Sequence, residues 1–394
     1  MHQMSVVRVL YEGRDEAIKL LDTDGDVLQY LIDDPMGVCP LLGKEIKMVK
    51  SLGSGTYGTV FEISVPGEGT KRYAVKKADP DRKSKTTIEG CEITEPYTVG
   101  KTRVNKGDIV CSSVFTEYLI SLLVGKIARS GASANFFDTF YFTPCGTKSR
   151  PFHYTFMERI DLSMDRALKC ISEFSGKGAT GAPYPETMTY LAIQTIHALG
   201  VIQSAYKIVH GDLHLDNVFL EVVTPQTTFQ GHKLLDAHYY QYIVNGTSIY
   251  IPGGKAYPFI VKLGDWGFAC KYGGRKILNG KVMADGITRE GRIWLPTFYT
   301  QAYDIVHFIG EVWDLNKSNS FLNQLYTWIS KTTGLSLRTF RGKMDPRPLI
   351  TKMDTYFSHV TPANILTDPG LMGEFMVRPD VDDSKIVLLG EFNS

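Results

Sequence analysis

Apolar positions along the chain change period several times, and each change marks an element. Ile46 to Val49 and Val60 to Ile63 read as strands on either side of a glycine-rich stretch, and Tyr73 to Lys76 reads as the next strand. Val114 to Ile127 has helical spacing, and Phe140 to Phe142 with Tyr154 to Met157 reads as a strand pair. From Leu162 the pattern turns helical. Glu186 to Tyr206, with Leu191, Ile193, Ile196, Leu199 and Ile202 on one face, predicts a long buried helix in which His197 is structural. Ile208-Val209 and Val218 to Leu220 bracket a polar loop, Phe259 to Leu263 is a hydrophobic strand, and Tyr303 to Gly310 starts an apolar helix. Helical patterns follow over Phe321 to Ile329 and Leu349 to Phe357. Residues 79 to 111 are polar and rich in Gly, Thr and Lys, which predicts an insertion or mobile loop. The ends are less regular. Val6 to Leu10 suggests a strand, Glu16 to Leu21 a helical turn and Asp22-Thr-Asp-Gly-Asp an acidic turn, while residues 361 to 394 suggest a helical end and a loosely structured tail.

Composition narrows the class. The 394 residues suffice for one large or two moderate domains, and 43% hydrophobic with 22% charged residues is ordinary for a soluble globular protein. A net charge of +1 with no basic stripe argues against direct nucleic-acid binding. Cys39, Cys91, Cys111, Cys145, Cys170 and Cys270 show no zinc-finger or redox spacing, which predicts reduced thiols in a cytosolic compartment. Met1 to Leu10 has no signal-peptide pattern, and no apolar stretch is long enough for a membrane span. An intracellular, cytoplasmic protein is expected.

Candidate chemistry lies in four places. The loop His210-Gly-Asp-Leu-His-Leu-Asp-Asn217 sets Asp212 and Asn217 five residues apart. Phosphoryl transfer needs such a pair: a carboxylate to orient the attacking hydroxyl, and a carboxamide oxygen to help hold Mg²⁺ on the phosphates. At that spacing the two are also compatible with a simple turn. In Leu52-Gly-Ser-Gly-Thr-Tyr-Gly-Thr-Val60, residues Gly53, Ser54, Gly55, Thr56 and Gly58 can bring backbone amides over phosphates without Cβ interference. Dinucleotide folds share the pattern but need a helix directly after it, where a strand follows here. Lys76 ends the third strand, either as a snorkelling surface group or as an ammonium for phosphates; Lys77 should point to the other side. Glu117 is its candidate partner, with Glu92 and Glu95 as alternatives. Asp265, at the end of the strand leading into Asp-Trp-Gly, is either a turn residue or a metal carboxylate.

Taken in order, Gly53, Gly55, Gly58, Val60, Lys76, Glu117, Asp212, Asn217 and Asp265 make the chain resemble the eukaryotic-type protein kinase family, over roughly residues 44 to 350. The resemblance implies an α+β, two-lobed protein-kinase fold with ATP in the cleft. The small β-rich N-lobe would span 44–160 with an insertion near 79–111, and the larger, mainly helical C-lobe 161–360 with an insertion near 221–258. An N-terminal extension, 1–43, and a C-terminal tail, 361–394, would flank them. Carried onto this sequence, the family's roles give Asp212 as catalytic base, Lys76 with Glu117 on the phosphates, His214 near the γ-phosphate, and Asn217 and Asp265 on Mg²⁺. Gly53, Ser54, Gly55, Thr56, Gly58, Val60, Ala74, Lys76, Glu158 and Ile160 would hold ATP, the last two in a hinge at Met157 to Ile160, with Asp161 or Asp165 near the ribose. Asp304 would brace the catalytic-loop backbone. The expected partners are ATP and protein substrates carrying serine or threonine hydroxyls.

His214, Ile249-Tyr-Ile-Pro, Tyr303-Asp-Ile-Val-His-Phe, Asp345-Pro-Arg-Pro and Thr361-Pro-Ala-Asn-Ile-Leu are similar to the serine/threonine kinases encoded by large nucleocytoplasmic DNA viruses. That narrower resemblance implies a host-cytoplasm or virion setting. Three departures matter. Gly211 stands where the family has an arginine before the catalytic Asp, so activity is expected not to need phosphorylation of the segment after Asp265. His214 stands where serine/threonine kinases have a lysine, and no Ala-Pro-Glu closes the segment. Thr288, Thr297, Tyr299 and Thr300 are candidate self-phosphorylation sites, or simply solvated loop residues. Two other functions stay open at this point: a small-molecule phosphotransferase of the aminoglycoside or choline kinase type, whose loop is close to His210-Gly-Asp-Leu-His214, and a catalytically silent pseudokinase scaffold.

Overall fold

The computed structural model describes residues 6–55, 58–65, 73–78, 91–93, 96–147, 150–167, 184–283, 287–290, 293–334, 350 and 353–394. Helices α1 (Val6–Asp22) and α2 (Val27–Asp33) come first. The strand expected at Val6 to Leu10 is the first part of α1. Val6, Val9 and Leu10 are spaced for one helical face and bury it in a core shared with Ile63, Val75 and Phe156. The acidic stretch after α1 is a turn, and Asp26 caps α2 by accepting from Gln29 N–H.

Strands β1 (Lys47–Gly55), β2 (Gly58–Ser64) and β3 (Tyr73–Ala78) run antiparallel. The region expected as an insertion or mobile loop contributes β4 (Cys91–Ile93), β5 (Tyr97–Val99), β6 (Thr102–Val104) and β7 (Ile109–Cys111), so that much of it is ordered strand. β5 pairs with β6 and β4 with β7 inside the stretch, while β7 also pairs with β19 far along the chain, which local composition cannot show; residues 79–90 and 94–95 lie outside the described residues. Helix α3 (Ser113–Arg129) follows, and β8 (Thr139–Thr147) with β9 (Arg150–Glu158) completes a five-stranded sheet of order β1-β2-β3-β9-β8.

After β10 (Leu162–Ser163), the long helix α4 (Tyr184–Tyr206) leads into β11 (Ile208–Val209), the polar loop and β12 (Val218–Val222). His197 of α4 is fully buried against Tyr242 and Phe392, and burial lowers its pKa to about 3, as a core histidine requires. A small hairpin, β13 (Thr228–Phe229) with β14 (His232–Lys233), precedes β15 (Tyr239–Val244) and β16 (Thr247–Pro252). Asn245 and Gly246, both at positive φ, make the tight turn between the last two. Next come β17 (Phe259–Leu263), β18 (Cys270–Lys271), β19 (Ile277–Asn279), and the pair β20 (Ile287–Glu290) and β21 (Ile293–Pro296). Helices α5 (Ala302–Leu315), α6 (Ser320–Thr333), α7 (Met353–Tyr356), α8 (Pro362–Leu366) and α9 (Pro369–Met376) precede the final strand, β22 (Ile386–Phe392).

The C-terminal segment is therefore not a loose tail. β22 pairs in parallel with β15, from Tyr239 opposite Ile386 to Val244 opposite Phe392, and buries Val387, Leu389 and Phe392. The expectation of reduced thiols is overturned too. Cys39 and Cys145, 106 residues apart, form a disulfide at a Cα separation of 5.8 Å, and Cys111 is also disulfide-bonded. Spacing concealed the first pairing, since only folding brings those positions together. The architecture is a mixture of helices and several sheets, consistent with an α+β class. Among the described residues no helix is long and apolar enough to cross a membrane.

Candidate active site

β1 and β2 form a hairpin with Gly53 opposite Val60, Ser54 opposite Thr59 and Gly55 opposite Gly58; Thr56 at its tip lies outside the described residues. A Cβ on Gly58 would stand 2.2 Å from Lys77 O, so only glycine lets the hairpin lie this close to β3. A Cβ on Gly53 would meet nothing within 4 Å, leaving open space there. Val60 pairs with Lys76, and Ala74, buried, pairs with Glu62 on one side and Met157 on the other. Lys77 points away as alternation requires, its Nζ 4.6 Å from the Phe152 ring centre.

Lys76 Nζ, by contrast, turns inward to Glu117 Oε1 and Oε2 at 2.7 and 2.8 Å and to Asp265 Oδ1 at 3.1 Å. Burial opposes the ammonium charge, but Asp265 and Glu117 outweigh it and raise the Lys76 pKa above its ordinary value. Burial also raises the Glu117 carboxyl against the pull of Lys76, whereas two short contacts to one ammonium are the geometry of a carboxylate. The pair is accordingly read as ionised. Asp265, also penalised by burial, is held below the usual carboxylate range by Lys76, with His210 and His214 helping. Its φ of +59° is a sparsely populated backbone conformation for a residue with a side chain. Gly264 N–H donates to Asn217 O at 3.1 Å, which links the Asp265 turn to the polar loop. Trp266 fills the core beneath, its ring 4.6 Å from that of His210.

Helix α5 shapes the polar loop. Asp304, fully buried, accepts from His210 N–H at 2.8 Å and Gly211 N–H at 2.9 Å. His307 Nδ1 meets Leu213 O at 3.0 Å, and Glu311 accepts from Leu215 N–H at 3.0 Å. Sequence reasoning found Asp304 but missed His307 and Glu311. Their spacing, three and seven residues after Asp304, was the available signal, because it puts three polar groups on one helical face.

Within the loop, Asn217 Nδ2 donates to Asp212 O at 2.8 Å and lies 3.2 Å from His214 Nε2, leaving Oδ1 as its metal-capable atom. His214 Nε2 lies 3.7 Å from Asp212 Oδ2, and Nδ1 accepts from Asp216 N–H at 3.3 Å. Burial disfavours a charged His214, yet Asp212, then Glu311 and Asp216, raise its pKa above the ordinary imidazole value. Asp212 Oδ1 is buried and has no hydrogen-bond partner among the described residues. An orphaned carboxylate oxygen of this kind is costly unless a ligand completes it. Asp265 and Asn217 together offer hard oxygen donors of the type Mg²⁺ prefers, so these residues fit that ion.

The positions expected to form a hinge lie at the end of β9 and just beyond it. Glu158 N–H is taken by Asp138 O at 2.9 Å, and Ile160 is half-buried just beyond β9. Asp161, expected near the ribose, accepts from Val222 N–H at 3.3 Å, so that oxygen serves the backbone of β12. Of the hydroxyls after Asp265, Thr297 and Thr300 are buried rather than solvated, at 1% and 5% exposure. An open groove of about 440 Å³ flanks this segment, lined by Lys101, Arg103, Lys276, Phe298 and Tyr299, with Lys101 paired to Asp354.

The chain matches no protein-family model, and no curated protein is significantly similar to it.

Proposed function

We propose that this chain is an ATP-dependent protein serine/threonine kinase with the two-lobed fold of that family, ATP lying between the β1–β2 hairpin and the polar loop. The carrying observation is the buried cluster of Lys76, Glu117 and Asp265. Separations of 41 and 189 residues in sequence become contacts of 2.7 and 3.1 Å. A lysine held ionised in this way is suited to the α- and β-phosphates.

In the proposed reaction a serine or threonine hydroxyl oxygen attacks the γ-phosphorus, the bond from that phosphorus to the β,γ-bridging oxygen breaks, and ADP leaves with the bond's electron pair. Asp212, through its unpartnered Oδ1, orients the hydroxyl and takes its proton. Asn217 and Asp265 would hold Mg²⁺, which when bound neutralises phosphate charge. His214, in its protonated form, donates to the transferring group from Nε2 beside Asp212, with Nδ1–H then facing Asp216 Oδ2 at 3.9 Å instead of accepting from Asp216 N–H. The β1–β2 hairpin covers the phosphates with backbone amides and limits water.

The test is transfer of label from γ-labelled ATP to a mixed panel of basic, acidic and neutral proteins, with choline and aminoglycosides alongside. Label on protein serine or threonine that disappears in Asp212→Ala is the expected outcome. Label confined to the small molecules would replace this reading with the small-molecule phosphotransferase, and ATP binding without transfer would point to a scaffold.

A further inference from the structure

Asn279 belongs to no pattern read from the sequence, yet its side chain reaches both the turn that carries Asp265 and the helix that carries Glu117. It is fully buried at the end of β19. Nδ2 donates to Gly267 O at 2.5 Å and Ser113 Oγ at 3.2 Å, while Oδ1 accepts from Lys281 and Val282 N–H at 2.9 and 3.2 Å. The amide's two donor and two acceptor positions are all filled. Gly267 lies two residues after Asp265, and Ser113 opens α3 four residues before Glu117. One amide thus ties the Asp265 turn, the Glu117 helix and the segment that follows.

That segment is itself anchored by the insertion. β19 pairs in parallel with β7, placing Asn279 opposite Cys111. Asp108 accepts from Lys276 N–H at 2.9 Å and meets Lys276 Nζ at 3.1 Å, with both side chains largely buried. The residue before Asp212 cannot share this work. Gly211 has φ +83°, and a Cβ there would stand 2.7 Å from Phe268 O, leaving no room for a side chain that could receive a phosphate.

We propose that Asn279 is a positioning residue that holds Glu117 and Asp265 in register on Lys76, with the β7–β19 pairing doing what a phosphorylated segment would otherwise do. The proposal rests on the kinase reading. Full-length protein is compared before and after phosphatase treatment, and Asn279→Ala is combined with Glu117→Gln in a double-mutant cycle. The treated wild type should keep kcat within about twofold, and Asn279→Ala should lower kcat about tenfold or more with ATP affinity little changed. The two substitutions together should cost less than the product of their separate effects, because both act through the position of Glu117.

Loss of wild-type activity on phosphatase treatment, an undiminished kcat in Asn279→Ala, or multiplicative losses in the cycle would each overturn the proposal. If Asn279→Ala does not fold, Ser113→Ala takes its place in the cycle. It cuts only the tie to α3, so kcat should fall about threefold, with the same coupling to Glu117→Gln. An unchanged rate or an uncoupled loss in Ser113→Ala overturns the proposal. Wild-type protein that transfers no phosphate to any protein refutes the kinase reading itself, a distinct result.

Discussion

Asp304→Asn probes whether α5 holds the polar loop by charge. The native carboxylate is fully buried and accepts two backbone N–H groups, from His210 at 2.8 Å and Gly211 at 2.9 Å. A carboxamide has one oxygen, so its NH₂ group must face the second N–H, donor against donor. Hydrogen bonds to a charged group contribute about 1.5–3 kcal/mol each, and a buried donor left unsatisfied costs about 1–3 kcal/mol. Burial raises the Asp304 carboxyl above its usual range despite these bonds, so deleting the charge returns part of that loss. The net expectation is a destabilisation of about 2–3 kcal/mol. At about 1.4 kcal/mol per tenfold, that corresponds to a loss of about 30-fold or more in the equilibrium favouring the ordered loop. Urea unfolding followed by circular dichroism gives the stability, and labelled-ATP transfer gives kcat on the same samples. A shift under about 0.5 kcal/mol together with unchanged kcat would refute the reasoning, because it would mean that the loop holds its shape without the carboxylate.

Two further outcomes are expected. His214 has a raised pKa, so its proton is retained to a higher pH than the ordinary value of about 6.5 and is lost as pH rises through the folded-state pKa. The kcat should therefore fall along a limb lying above about pH 6.5, and His214→Ala should be slower and lack that limb; a wild-type profile that is flat there, or a limb that persists in the variant, argues against a charged His214. Leu389→Ala should destabilise the protein by about 2–4 kcal/mol in a urea melt, since Leu389 is fully buried on β22. A loose tail would give no shift.

Much of the candidate site was legible because its parts are local. The glycine spacing of the hairpin, the lysine ending an apolar strand, the Asp and Asn five residues apart, and the strand running into Asp265 each depend on a few neighbours and on the period of one element. Helices α3 and α4 were readable for the same reason. Where a reading failed, it had a short window. Val6 to Leu10 looked like a strand over five residues, and only the continuation of buried positions to Ala17 shows the helix.

The sequence alone determined which chemical groups are available and roughly what local structure carries them. Tertiary structure decided what they do to one another. It closed the disulfide between Cys39 and Cys145, paired β22 with β15, brought β7 of a polar stretch alongside β19, and placed Asn279 between Gly267 and Ser113. None of these has a local signature. A strand edge or a buried amide is satisfied by whichever distant group the fold brings within about 3 Å, and helical or strand periodicity carries no information about that partner.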